Sequence, residues 1–214
     1  MQSYYFYLSP SEAYTYISPS RIINEEPAFI WIDCTREEVV QQTEQWQQHI
    51  HELTQLNLNE YHVRDILNIE HPCAFDAMDD YDLLIFRKLI TPDDNIHFDH
   101  TALEKHERAF GLATTPVSFM ITPQVLLTIR ERGNQAFENY VARVETILNR
   151  PIEEQNKPRK LAMNPIDLSL RILNSMIDGY LDLRVPLTRR VEYWQQELLQ
   201  GHRRFTRWNQ LLQE

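Results

Sequence analysis

Apolar residues recur with two different periods along the first 150 positions, and the switches between those periods mark out the elements. Tyr4 to Leu8 and Tyr14 to Ile17 carry clustered or alternating aromatics suited to strands, with Ser9-Pro10-Ser-Glu between them as a turn. Phe29-Ile-Trp-Ile32 reads as a buried strand. Thr35 and Glu38 then form a capping-box signature, opening a helix in which Val39, Trp46, Ile50 and Leu53 keep roughly helical spacing. A second helix is predicted after Asn59, with Val63, Ile66 and Leu67 as its buried stripe. It closes at His71-Pro72, because the residue before a proline is pushed out of helical dihedrals. An edge strand leads to Asp79-Asp80, and Asp82-Leu-Leu-Ile-Phe86 reads as a buried strand.

Thr91-Pro-Asp-Asp-Asn95 is a predicted turn, and the polar stretch from there to Arg108 has little periodicity and reads as a loop flanking an edge strand. Val117 to Ile121 and Val125 to Ile129 read as two strands joined tightly by Thr-Pro-Gln. After Arg130-Glu-Arg-Gly133 and Asn134, a helix carries Phe137, Val141, Val144 and Leu148 on one side. The charged, proline-containing stretch from Asn149 to Lys160 is the predicted linker, placing a boundary near 155. Beyond it, Asn164-Pro165 with Asp167 has the composition of a helix start. The pattern stays helical to about Gln200, with a kink expected at Pro186 and a break at Gly201 giving an antiparallel pair. Phe205, Trp208 and Leu211-Leu212 are still in helical phase at the last residue, so the sequence reads as a piece of a longer chain.

The expected architecture is therefore α/β: a mixed sheet covered by helices over residues 1–155, followed by a long helical appendage over residues 156–214. A chain of 214 residues with 43% hydrophobic content can bury a substantial core. Its two cysteines cannot build a disulfide framework, no secretory leader opens the sequence, and the segment reads as cytosolic. No apolar run exceeds five residues, whereas a membrane helix needs about 20. The net charge of −10 is uneven: residues 1–100 hold 5 basic and 18 acidic side chains, residues 101–214 hold 16 and 13. Nucleic acid is accordingly a poor partner for the N-terminal half.

Candidate chemistry is sparse. Asp79-Asp80 and Asp93-Asp94 are the visible carboxylate pairs, but neighbours on a strand point to opposite faces, so they read as turn and edge solvation. His97, His100 and His106 with Asp99 have metal-like spacing but no clustered cysteines, and read as solvated loop residues. His49 and His51 fall on different helix faces. No nucleophile elbow, glycine-rich phosphate loop or Cys-His signature occurs, and the chain is not expected to be an enzyme. Six arginines against three glutamates from Arg184 onward suit either a solvated helix face or the cytoplasmic side of a membrane element.

One stretch carries a family resemblance. Asp65-Ile-Leu-Asn68, then Asp80-Tyr81 followed by Leu-Leu-Ile-Phe86, resembles the CorA-type divalent-cation transporters, whose signature runs E-D-(I/C)-L-N, R-P-K, (D/N)-Y-(L/V)-F. Trp31-Ile-Asp33, Val117-Ser118 to Glu131, and Asp178-x-Tyr180 follow in family order. The resemblance implies that Asp65 and Asp178 take part in regulatory metal binding between protomers, with Mg²⁺, Co²⁺ or, in the ZntB-like branch, Zn²⁺ as the ion. Arg64 replaces the acid that often precedes Asp65 and is expected to pair with it, and Asn174 replaces an earlier acid of the Asp178 segment. From residue type alone, Asp65 is equally well a solvent-facing carboxylate on a short helix.

By the same resemblance the full-length protein is a homopentameric bacterial inner-membrane channel. This fragment would form its cytoplasmic, ion-sensing funnel wall, with the membrane reached through a further C-terminal region; the family's Gly-Met-Asn pore motif does not occur in these residues. The alternatives are a stand-alone soluble module whose acidic face binds a basic protein, and a metal-dependent hydrolase built on the Asp79 and Asp93 clusters, for which no converging acids can be assembled.

Overall fold

In the computed structural model, residues 1–8, 15–91, 94, 96, 113–150, 161–181 and 183–199 are described. Seven strands form one mixed sheet: β1 (Gln2–Leu8), β2 (Thr15–Ser18), β3 (Phe29–Thr35), β4 (Ala74–Ala77), β5 (Asp82–Leu89), β6 (Thr114–Ile121) and β7 (Val125–Arg130). Their order across the sheet is β2-β1-β3-β7-β6-β5-β4. Only β3 and β7, at the centre, run parallel; the other neighbours are antiparallel. The tight Thr122-Pro-Gln124 connection makes β6 and β7 a hairpin, closed by Thr122 accepting backbone N–H donors from Gln124 and Val125 on its hydroxyl.

Helices α1 (Arg36–Gln41), α2 (Thr43–Thr54) and α3 (Glu60–Leu67) cover one face, while α4 (Gln135–Leu148) and α5 (Pro165–Leu181) cover the other. Because successive strand residues face opposite ways, each strand feeds two cores. Trp31, Phe119 and Leu126 pack with Phe137, Val141 and Val144 of α4 and with Leu168, Ile172 and Met176 of α5. Ile32, Met120 and Leu127 pack with Val39, Trp46, Ile50, Val63 and Ile66 of the first three helices. The result is the α/β architecture expected, a mixed sheet with helices on both faces.

Several local expectations are met at the level of single bonds. Thr35 and Glu38 form the reciprocal capping box, and Asn59 caps α3 by accepting from the Tyr61 N–H at 2.9 Å. Asn164 accepts from the Asp167 N–H at 2.8 Å at the start of α5. Other elements differ. The helix after Thr35 is two helices, interrupted at Gln42 (φ −145°, ψ 53°), where the Thr43 hydroxyl bonds the Val39 carbonyl in place of a continuing backbone donor.

The kink expected at Pro186 is instead a break before it. The chain turns at Leu183 and helix α6 (Arg184–Leu199) begins afresh, with Pro186 in its first turn, where a missing N–H has no intrahelical bond to lose. Every described side chain of α6 is exposed. The histidine group His97, His100 and His106 with Asp99, Asp93, the 151–160 part of the linker, and Gly201 to Leu212 lie outside the described residues.

Candidate functional site

Helix α3 presents Asp65. Its inner side is fixed by Val63 and Ile66 in the core and by His62, a buried histidine whose Nδ1 lies 2.9 Å from the Tyr81 hydroxyl and whose Nε2 lies 3.0 Å from Asp76 of β4. The Tyr81 hydroxyl also accepts from the Asn59 N–H, so one tyrosine joins the helix cap to His62, and His62 joins the helix to the edge strand. Asp65 stands on the outward side with its side chain 44% exposed. Arg64 does not pair with it as expected: its guanidinium lies over the Tyr61 ring, 5.8 Å from the centroid. The partner of Asp65 is His71, with Nε2 3.6 Å from Oδ1.

His71 reaches back because α3 ends in a tight turn. The Asn68 N–H bonds the carbonyls of Arg64 and Asp65, the Asn68 side chain accepts from the Glu70 N–H, and the Asn68 carbonyl accepts from the His71 N–H. Arg87 of β5 then clamps that turn. Its guanidinium donates to the carbonyls of Ile69 and His71 and to both the hydroxyl and the carbonyl of Thr114. A guanidinium presents donors in a rigid fork, so four acceptors at fixed positions hold it and the turn together.

The second motif reaches the same residue from the other side. Asp178 is exposed on α5, and two positions on, the Tyr180 hydroxyl donates to the Arg87 carbonyl at 2.5 Å. Burial pushes the Tyr180 pKa above its ordinary value, with the nearby Cys73 adding to the effect, so the phenol remains a donor. Asp65 and Asp178 therefore stand on helices that cover opposite faces of the sheet, linked through Arg87 rather than gathered at one point. Among the described residues, no three or more His, Cys, Asp or Glu side chains are grouped to hold a metal ion. The donor set that a single chain offers at Asp65 is one carboxylate and one imidazole, open to solvent.

The remaining carboxylates sort differently from their expected roles. Asp79 and Asp80 are exposed in the β4–β5 turn, as solvation predicts. Asp94 is not a solvated turn residue: its side chain is buried and bonded to Lys88, to the N–H and hydroxyl of Thr91, and to the Gln135 N–H at the start of α4. These donors outweigh the effect of burial and hold its carboxyl below the usual range. Asn134, although in the cap position, makes no cap bond with its side chain.

Trp31-Ile-Asp33 and the Arg130 segment also meet. Across the parallel β3–β7 pair, Asp33 takes Arg130 on Oδ2 at 3.0–3.1 Å and the Thr128 hydroxyl on Oδ1 at 2.8 Å, while Trp31 Nε1 donates to Thr128. Arg130 continues to Glu138 of α4. Beside them lies a cleft of about 320 Å³, lined by Thr35, Glu38, Arg132 and Glu145 among others. Its buried charges are already paired with each other, which suits a structural joint between strand ends and α4.

Sequence reasoning singled out Asp65, Asp178 and Tyr180 but missed His62, His71 as the partner of Asp65, and the fork of Arg87. Arg87 follows the apolar strand 82–86 directly, and a guanidinium at that point was the available signal for a clamp.

Comparison with known proteins bears on these motifs together. The soluble domain of CorA from Methanocaldococcus jannaschii superposes with a TM-score of 0.54 at 16% identity, over 94% of this chain and 65% of that one. The ZntB cytoplasmic domain from Vibrio parahaemolyticus RIMD 2210633 gives 0.52 at 15% identity, over 86% and 61%. The complete CorA magnesium transporter from Methanocaldococcus jannaschii gives 0.50 at 18% identity, over 94% of this chain and 52% of that one. The chain thus spans about half to two thirds of the length of these proteins, and the likeness is one of fold. No curated protein matches by sequence. Among the described residues no helix is long and apolar enough to cross a membrane. A family profile, CorA-like Mg2+ transporter protein, matches residues 26–209, from before β3 to beyond α6, and the chain belongs to that family.

Proposed function

We propose that this chain is the ion-sensing regulatory domain of a divalent-cation transporter of the CorA/ZntB kind, working as one wall of a homo-oligomer. The observation that carries this reading is the corner at Arg87, into which both family motifs converge: the Asp65–His71 turn on one side and Asp178-x-Tyr180 on the other. Asp65 and Asp178 project from opposite layers and reach solvent, an arrangement that in a ring would leave each open to a neighbouring copy rather than to the other. In a ring of copies, a cation between an acid of one protomer and donors of the next offsets carboxylate repulsion and favours the closed arrangement. Loss of the ion leaves like charges facing one another and favours opening. Mg²⁺, Co²⁺ and Zn²⁺ are the candidate ions, and a pentamer at the cytoplasmic side of the bacterial inner membrane, reached through a further C-terminal region, is the assembly the family pattern implies.

The test is a thermal melt of the chain against Mg²⁺. A ligand that binds only the folded state raises the melting temperature with concentration. Millimolar Mg²⁺ is expected to raise it for the wild type, and Asp65→Ala is expected to blunt the rise. The same rise in the variant would remove Asp65 from the ion site.

A further inference from the structure

We propose that Asp65 and His71 form a preorganised two-ligand half-site for a borderline transition metal, Zn²⁺ in class, which they bind in preference to Mg²⁺. The inference deepens the function proposed above, and rests on it for the neighbouring copy that would complete the shell.

The His71 ring carries the argument. Its Nδ1 lies 2.9 Å from the Pro72 carbonyl oxygen, which can only accept, so Nδ1 carries the proton and donates it there. In the neutral ring this leaves Nε2 with a lone pair, and Nε2 is the atom turned toward Asp65. Between Nε2 and the Asp65 Oδ1 the distance is 3.6 Å, too long for a hydrogen bond. In that neutral tautomer two acceptors face each other across a gap, an arrangement that a cation between them resolves.

The gap has the width of a metal edge. Zinc binds histidine nitrogen and carboxylate oxygen at about 2.0–2.1 Å with tetrahedral angles, which separates two donor atoms by about 3.3 Å. The observed spacing lies within a few tenths of an ångström of that value, reached by a small opening of the angle. A backbone carbonyl on the far ring nitrogen is also the outer partner that metal-bound histidines commonly have, fixing tautomer and ring direction.

Both donors are held without the metal. Asp65 sits on α3, whose inner side is buried, and His71 is fixed through its own carbonyl by Arg87 at 2.9 Å. The cationic neighbour that would compete, Arg64, is turned onto Tyr61. The His71 side chain is 18% exposed and that of Asp65 44%, so water or a donor from a neighbouring copy can reach the remaining positions. Magnesium prefers an octahedron of oxygens and keeps its waters, whereas zinc and cobalt take imidazole readily. One imidazole beside one carboxylate therefore favours the second group.

The test is calorimetric titration of the 214-residue chain with Zn²⁺ and, separately, with Mg²⁺, using wild type, His71→Ala, Asp65→Asn and the control His49→Ala. The imidazole nitrogen resonances are followed in parallel. Replacing the His71 side chain leaves its carbonyl, and so the Arg87 clamp, in place; an unchanged circular dichroism spectrum checks this. The expected result is Zn²⁺ binding at least tenfold tighter than Mg²⁺, with His71 Nε2 the resonance that moves. His71→Ala should weaken Zn²⁺ at least tenfold and leave Mg²⁺ unchanged, Asp65→Asn should weaken both, and His49→Ala neither. If His71→Ala keeps the wild-type Zn²⁺ affinity, or if the wild type binds no Zn²⁺, the half-site is wrong. A loss of Mg²⁺ binding in Asp65→Asn together with unchanged Zn²⁺ binding in His71→Ala would sink this inference alone. Zn²⁺ binding through His71 and Asp65, with no Mg²⁺ response, would uphold it and count against Mg²⁺ sensing.

Discussion

The Tyr180 hydroxyl donates to the main-chain carbonyl of Arg87, and the guanidinium of that same Arg87 holds the turn that carries His71 back to Asp65. One residue of β5 thus ties the α3 layer to the α5 layer. The segments that carry Asp65 and Asp178 are thereby connected through the main chain and the side chain of the same residue.

Arg87→Ala removes donors to four acceptors, and hydrogen bonds to charged groups contribute about 1.5–3 kcal/mol each. Since the exposed turn can recruit water, a net loss of about 3 kcal/mol is expected in urea denaturation, along with a weaker divalent response although Asp65 is intact. Tyr180→Phe loses one neutral bond and is expected to cost about 1 kcal/mol.

Asp94 should govern part of the acid sensitivity. Its folded pKa is depressed by Lys88, Thr91 and Gln135, so the stability it contributes is fully present above the ordinary carboxylate pKa and is lost as pH falls through the folded value. Asp94→Asn is expected to cost about 3–5 kcal/mol at pH 7, because it leaves Lys88 buried and unpaired. The variant's stability should also depend less on pH below about pH 4 than that of the wild type. Equal pH slopes for the two proteins would contradict the assignment.

At the centre of the sheet, Arg130→Ala leaves Asp33 buried without its charge partner, with an expected loss of about 3–5 kcal/mol. Asp33→Asn with Arg130→Ala should cost less than the sum of the single changes. Chemical denaturation of the four proteins of that cycle measures the coupling.

Much of the fold could be read from local pattern. Thr35 with Glu38, Asn59 and Asn164 announce helix starts through bonds that span only two or three residues, and the strands 29–32, 82–86, 117–121 and 125–129 show their burial in their own composition. The readings that fail turn on which partner a side chain finds, whether near or far along the chain. Asp94 looks like a turn aspartate because nothing near it shows that Gln135, 41 positions later, takes its second oxygen. The Arg64–Asp65 pairing was an expectation from adjacency alone; in the structure Tyr61 takes the arginine and a turn three bonds deep delivers His71. The motif singles out Asp65 and Asp178 as candidates, but the sheet between their helices cannot be read from it, since layer assignment follows from strand order.

The two thiols should separate in reactivity. Cys34 is buried, accepts from Trp46 Nε1, and has its pKa pushed up to about 12 by burial, whereas Cys73 is exposed. A thiol-specific reagent at pH 8 is expected to modify Cys73 in the native protein and to reach Cys34 only on unfolding. Mass spectrometry of the labelled peptides checks both sites.

The central proposal, that an ion held at Asp65 restrains a pore, is tested most directly by divalent-cation flux through the whole protein that contains this domain, reconstituted in vesicles. Flux is measured while Mg²⁺ is raised on the side that bathes the domain. The account predicts that wild-type flux falls as Mg²⁺ rises, and that Asp65→Ala shifts this inhibition to at least tenfold higher Mg²⁺. Superimposable inhibition curves for the two proteins would contradict it.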